Sequence, residues 1–172
     1  MKKLIKVGLW VVVIGFLLVQ LVPNGRRHHN PPIVREPNWD NAETRALAQR
    51  ACFDCHSHET VWPWYSQVAP VSWLIQKDAN EGRQMLNFSD WGKGREGEKP
   101  EELVKSIREG EMPLKIYLPL HPEVRLSDSE RAALIMGFER MTSTVLSTKA
   151  AETMADPQTD LEELSENELD ND

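Results

Sequence analysis

The sequence predicts an all-α domain, and three observations carry that reading. Apolar residues recur at helical spacing in several segments. Prolines and capping residues mark their starts and stops. No stretch alternates cleanly between apolar and polar residues, as a half-buried strand would. At 172 residues there is room for one domain with accessories. Lys and Arg number 20 against 27 Asp and Glu, a net charge of -7, which weighs against general nucleic-acid binding. Two cysteines exclude a disulfide-rich scaffold, and a mean hydropathy of -0.49 excludes a polytopic membrane protein. No Gly-rich phosphate loop and no G-x-S-x-G elbow is present.

Taken in order, Lys2, Lys3 and Lys6 precede an apolar run from Val7 to Val22, which Leu4 and Ile5 extend backwards. No small-residue cleavage site follows, so residues 1–22 read as an uncleaved transmembrane anchor through residues 4–22 rather than a removed signal segment. The lysines place its start in the cytoplasm and the domain on the periplasmic side of a bacterial inner membrane. Residues 23–39 hold four prolines and read as an extended linker, in which His28 and His29 are more simply solvated than metal-bound. Residues 40–147 read as the domain. Asp40 with Glu43 suggests a capped helix running towards His56, with Ala42, Leu47, Ala48 and Ala51 along it. Pro70 suits the first turn of a second, carrying Val71, Leu74, Ile75, Ala79, Gly82, Met85 and Leu86. Pro100 opens a third, with Leu103, Val104 and Ile107 on one face and Gly110 as its stop. Ser127 and Glu130 form a capping box for the last, striped by Leu134, Phe138, Met141 and Val145. Residues 148–172 read as a disordered acidic tail. Positions 150 to 172 contain nine acids and no base, leaving 18 acids and 20 bases before them. Leu161, Leu164 and Leu169 offer it a weak apolar face for docking a basic partner.

The stretches 57–69 and 111–126 look too irregular to pack unaided, and one motif says what they pack on. Cys52-Phe53-Asp54-Cys55-His56 is C-x-x-C-H, the c-type haem attachment signature. On a helical turn, positions i, i+3 and i+4 share a face, so both sulfurs reach one edge of a macrocycle while His56 offers an axial nitrogen. A thioredoxin-like pair wants a βαβ setting that is missing. A zinc site from Cys52, Cys55, His56 and His58 would need ligands from a second knuckle. The sixth iron ligand is open among Met112, His58, His121 and Met85. Met112 is favoured, because Gly110-Glu111-Met112-Pro113 follows a helix stop and suits a loop across the distal face. Trp62, Trp64, Tyr65 and Trp73 crowd after the motif and suggest aromatic walls. Arg83 and Trp91 are candidates for hydrogen bonds to haem propionates.

With those residues in hand, the chain resembles the bacterial haem-binding domain family of small c-type cytochrome-like proteins. The matching stretches are Cys52-Phe-Asp-Cys-His-Ser57, Trp62-Pro-Trp-Tyr-Ser66, Pro70-Val-Ser-Trp-Leu74, Glu81-Gly-Arg83, Leu86-Asn-Phe-Ser-Asp-Trp91, Gly110-Glu-Met-Pro-Leu114 and His121-Pro-Glu123. The resemblance implies a cytochrome c-like fold around one covalent haem, with Cys52 and Cys55 as attachment points, His56 as proximal ligand and Met112 as distal ligand. His58 stands where an Asn is more usual. The function expected is one-electron transfer with a redox partner at the membrane or in the periplasm, rather than enzymatic turnover. The rival is a peroxidase-like or gas-sensing protein with an open distal site, where His121 or His58 acts as an acid–base group. A third reading makes the haem structural and the tail a docking arm.

Overall fold

The computed structural model describes residues 1–155. The tail expected to be disordered from residue 148 is helical as far as Ala155, while its remainder, its leucines and its expected docking role lie outside the described residues. So does the side chain of Val145. Six α-helices follow one another: α1 (Lys2–Val19), α2 (Ala42–Ala51), α3 (Phe53–His56), α4 (Val71–Met85), α5 (Pro100–Arg108) and α6 (Asp128–Ala155). Short 3-10 turns occur at Trp64–Gln67, Glu96–Glu98 and Pro122–Val124. Among the described residues there is no strand, only an isolated parallel bridge between Arg35 and Asp90.

Most punctuation in the sequence acts as expected. Pro100 occupies the first turn of α5, and Gly110 stops that helix with a φ of 69°, a left-handed conformation that glycine adopts without penalty. Ser127 and Glu130 exchange reciprocal cap bonds, Ser127 N–H to Glu130 Oε2 at 2.8 Å and Glu130 N–H to Ser127 Oγ at 3.2 Å. The start of α2 differs. Its cap is Asn41, which accepts from Thr44 N–H at 2.9 Å, while Asp40 accepts from Arg140 Nε at 2.8 Å. The amide satisfies the orphan N–H as a carboxylate would, and Asp40 is left to tie α2 to α6.

The core sits where α2, α5 and α6 meet. Leu47, Phe53, Phe88, Leu134 and Phe138 are buried there, with Leu103, Val104 and Ile107 from the apolar face of α5. Phe88 lies at its centre, 5.3 Å from the Trp39 ring, 5.5 Å from Phe53 and 5.9 Å from Trp91. Phe53 is a residue of the C-x-x-C-H motif, so the motif is pinned directly to the core.

Two expectations for the N-terminus are corrected. First, α1 ends at Val19, leaving Leu21 and Val22 outside it, and three of its 18 residues are lysines. Such a helix rises about 27 Å in all. Among the described residues no helix is long and apolar enough to cross a membrane. None of its residues is buried, so its apolar side chains are exposed on every side. Second, residues 23–39 are not a free linker but a strap laid over the domain. Gln20 Nε2 donates to Ala69 O at 2.8 Å, and Ala69 N–H donates back to Gln20 Oε1 at 3.0 Å. His28 stacks on Trp62 at 4.3 Å and bonds Ser66 and Gln67. Asn30 Nδ2 donates to Thr60 O, and Val34 and Arg35 N–H groups donate to Ser89 O. Glu36 closes the strap with a paired bond to Arg45, Nη2 to Oε1 at 2.7 Å and Nε to Oε2 at 2.8 Å. Proline-rich backbone lacks periodicity but is well suited to an extended path whose partners are another segment's carbonyls.

Candidate functional site

The motif forms a single turn. Cys52 leaves α2 with a non-helical φ of -127°, and its carbonyl accepts the N–H groups of Cys55 at 3.2 Å and His56 at 2.9 Å. Both cysteines are free thiols. Burial pushes the Cys52 thiol up to about 12. Burial, with the carboxylates of Asp54 and Asp78 adding to it, pushes Cys55 up to about 11. Neither is a thiolate at neutral pH, which is the opposite of what a thiol–disulfide exchange pair needs. Among the described residues no group of three or more His, Cys, Asp or Glu side chains is arranged to hold a metal ion.

The turn is pressed against α4. A Cβ on Gly82 would stand 2.5 Å from the Cys55 carbonyl oxygen, so only glycine permits this approach. The contact places His56 Nδ1 3.0 Å from Gly82 O and 3.2 Å from Leu86 O. The Nδ1–H donates to those carbonyls, which fixes the proton on Nδ1 and leaves the Nε2 lone pair free. Burial holds the His56 imidazole below its usual range, against the pull of the two carbonyls, so the ring is neutral. A neutral, carbonyl-oriented imidazole is the state that a metal-ligating histidine requires.

The loop after α5 is tied to the motif by a side-chain hydrogen bond. Ser106 O accepts from Glu111 N–H at 2.9 Å and Met112 N–H at 3.1 Å, which fixes the half-buried Met112 just past the helix stop. Farther along, Tyr117 OH donates to Asp54 Oδ2 at 2.7 Å, tying the loop to the motif itself. Burial, then the Asp54 bond, push the Tyr117 phenol up. Tyr117 stacks on His121 at 3.8 Å. His121 has both ring nitrogens engaged, Nδ1 with Glu123 Oε1 at 2.9 Å and Nε2 with the Tyr65 hydroxyl. His58 is likewise committed, Nδ1 to Pro32 O at 2.8 Å and Nε2 to Asn87 Nδ2 at 2.9 Å. Both ring nitrogens of each histidine are thus engaged within the protein.

The aromatic and propionate candidates have the following surroundings. Trp62 packs under the strap, its Nε1 donating to Asn30 Oδ1 at 3.2 Å. Trp64 is 80% exposed, and Trp91 stacks on the core. Tyr65 joins the His121 network. Trp73 packs at the strap end of α4, on the face opposite Gly82. Arg83 is spent on the strap: Nε donates to Ser57 O at 2.7 Å, Nη1 to His29 O at 3.0 Å, and Nη2 to Asn30 Oδ1 and Thr60 Oγ1 at 3.0 and 2.9 Å. The apolar residues left uncovered on α4 are aliphatic. Val71, Leu74 and Met85 share a stripe of α4 with Asp78, whose charge is felt at Cys55, and they are 41%, 45% and 53% exposed. Leu114 and Ile116, exposed beside Tyr117, add to them. The signal was in the α4 spacing, where Ala79 and Leu86 serve the core and the other apolar residues do not.

These residues fit a haem: an imidazole with a free Nε2, two unpaired thiols on the same turn, a methionine loop bonded back to that turn, and an apolar stripe left bare beside it. No curated protein and no solved structure matches the chain. The family model for the haem-binding domain matches residues 14–140, which takes in the strap as well as the helices. The chain therefore belongs to the haem-binding domain family and is a haem-binding protein.

Proposed function

We propose that this is a c-type haem protein that carries single electrons at the outer face of a bacterial inner membrane. Cys52 and Cys55 would hold the group through thioether bonds, each thiol adding its S–H across one vinyl double bond. His56 Nε2 would be the proximal ligand and Met112 the distal one. When bound, haem supplies a one-electron couple. The chain's part is to hold both sides of it still. The observation that carries the reading is the His56 ring, whose Nδ1–H is held by the carbonyls of Gly82 in α4 and of Leu86 just past its end, so that Nε2 alone is presented.

The remaining residues serve the same end. Carbonyl acceptance at Nδ1 raises the basicity of Nε2. A thioether opposite it favours the reduced form relative to a second imidazole. Val71, Leu74 and Met85 exclude water from one face. With ligands fixed on both sides, little rearrangement accompanies electron exchange. Contact of α1 with the membrane surface is part of this proposal, because none of its apolar residues is buried by the domain. Confinement there raises the effective concentration for redox partners at the membrane or in the periplasm.

The test is the visible spectrum of the full chain produced with c-type maturation machinery, beside the Cys52→Ala/Cys55→Ala variant. The expected result is a low-spin haem that survives denaturing electrophoresis, with the weak ferric sulfur-to-iron band, and loss of the stain in the variant. Haem stain persisting in the variant would end the covalent assignment. A high-spin spectrum with rapid carbon monoxide binding would move the function to gas binding or peroxide chemistry.

A further inference from the structure

Charge is divided along the chain as sharply as hydrophobicity is. The first 35 residues hold six Lys and Arg and no acid, which leaves 14 of the 20 bases beside all 27 acids. Five of those six cluster at the two ends of α1, with Lys2, Lys3 and Lys6 in its first two turns and Arg26 and Arg27 a short way past its close. Among the described residues none of the five meets a carboxylate, whereas Arg45, Arg50, Arg95, Arg108 and Arg140 each pair with one at 2.6–3.0 Å. The three lysines and Arg27 are exposed, and Arg26 is half-buried.

The arginine end is held in place rather than trailing. Gly25, at a φ of 71°, packs so close to the start of α4 that a Cβ would stand 2.4 Å from Ser72 O. Arg26 Nη2 then donates to Gln20 Oε1 at 2.7 Å, against the cap of α1, and Gln20 is itself bonded to Ala69. Cations thus stand at both ends of a helix whose apolar residues are left unburied. That order of groups is complementary to lipid, acyl chains beside a layer of phosphates. A zwitterionic headgroup brings its own ammonium to its phosphate, while an anionic headgroup leaves the phosphate to other cations. Lys and Arg near such a surface are drawn to it individually, and salt screens the attraction.

We propose that residues 2–27 select a membrane containing anionic phospholipid, with headgroup phosphates as the counter-ions of Lys2, Lys3, Lys6, Arg26 and Arg27. The inference rests on the membrane contact of α1 proposed above and names the lipid that contact prefers. The apolar run between the clusters commits them to lipid rather than to a soluble phosphate. The haem assignment has no part in it.

The experiment measures partition of the full haem-loaded chain onto vesicles of phosphatidylcholine alone and onto vesicles one-third phosphatidylglycerol. Partition onto the anionic vesicles is expected to be about tenfold stronger or more in low salt, an advantage that salt of about 0.5 M removes. Arg26→Gln/Arg27→Gln should weaken anionic partition about fivefold or more and leave partition onto phosphatidylcholine unchanged. Lys2→Gln/Lys3→Gln, in a helix the domain does not bury, should do the same from the other end. Lys105→Gln/Arg108→Gln removes equal charge from exposed positions of α5 and should leave the preference intact. An unchanged visible spectrum and melting temperature show that each variant folds. Equal partition onto both kinds of vesicle would overturn the lipid preference while membrane contact stands. Partition onto neither would remove the contact and this inference with it. An equal loss in the α5 variant would reduce the effect to net charge and overturn the assignment to the ends of α1.

Discussion

The two sides of the candidate haem site are built in different ways. On the His56 side everything is short-range and buried. The motif turn is wound around one carbonyl, Phe53 is 2% exposed in the core, and Gly82 brings α4 into backbone contact with Cys55. On the Met112 side a long loop is held at separate points. These are Ser106 O at one end, Tyr117 on Asp54 in the middle, and the buried Val124 near the other, with Leu114, Ile116 and Leu120 exposed between them. The first side is fixed by burial and backbone contact, while the second is held at separate points with apolar residues exposed between them. Under the proposed ligation, one ligand would stand on the core and the other on a loop.

Several changes break or sharpen that contrast. The largest effect is expected from Gly82→Ala, because a methyl at that point meets backbone rather than a side chain that can turn away. The helix and the motif must separate, at a cost of roughly 1–3 kcal/mol, and His56 loses an oriented carbonyl. Haem stain per unit of protein should fall several-fold, and a variant with wild-type loading and melting temperature would show that the close approach is dispensable. Met112→Ala touches only the distal side. It should keep the covalent haem and make the ferrous protein bind carbon monoxide; unchanged carbon monoxide reactivity would remove Met112 from the ligand set. Tyr117→Phe deletes one hydrogen bond to a carboxylate, worth about 1–3 kcal/mol. It should loosen the loop, seen as faster hydrogen exchange over residues 111–126 with the motif turn unaffected. The smallest effect is set by acid. Arg45 holds the Glu36 carboxyl below its usual value, outweighing the opposing effect of burial. A carboxyl that titrates lower folded than unfolded stabilises the fold above about pH 4.5 and stops doing so as pH falls through its folded value. Unfolding monitored from pH 6 to pH 3 should therefore show a loss of stability that is smaller in Glu36→Gln, with the strap the first segment to exchange.

What the sequence made legible follows from the range of the interactions concerned. C-x-x-C-H, the helix faces with Pro100 and Gly110 as their limits, and the Ser127–Glu130 box all act within a few residues, so spacing alone exposes them. The strap was invisible for the opposite reason. Its bonds join backbone carbonyls and amides to partners more than twenty residues away, as with Arg83 and His29 or Gln20 and Ala69, and no periodicity records such pairs. The tryptophans show a different limit. Composition says that a large ring will be covered, but Trp62 is covered by His28 and Trp91 by Phe88, so abundance near a motif did not assign them to its cofactor. Arg83 was read as a candidate propionate donor, and in this structure its guanidinium bonds Ser57 O, His29 O, Asn30 Oδ1 and Thr60 Oγ1, a cluster that no spacing in the sequence announces.

The two hydrogen bonds between Gln20 and Ala69 have a mechanical meaning. A carrier on a slack leash sweeps a hemisphere and can meet partners at any height and bearing. Here the end of α1 is bolted to the domain, so the domain tilts and turns only when the helix does. With α1 at the membrane surface as proposed, the cofactor edge would keep a constant altitude and compass heading relative to the lipid. Exchange is then open to partners whose own docking surface lies at that altitude, and choice of partner becomes a matter of level as well as of surface chemistry.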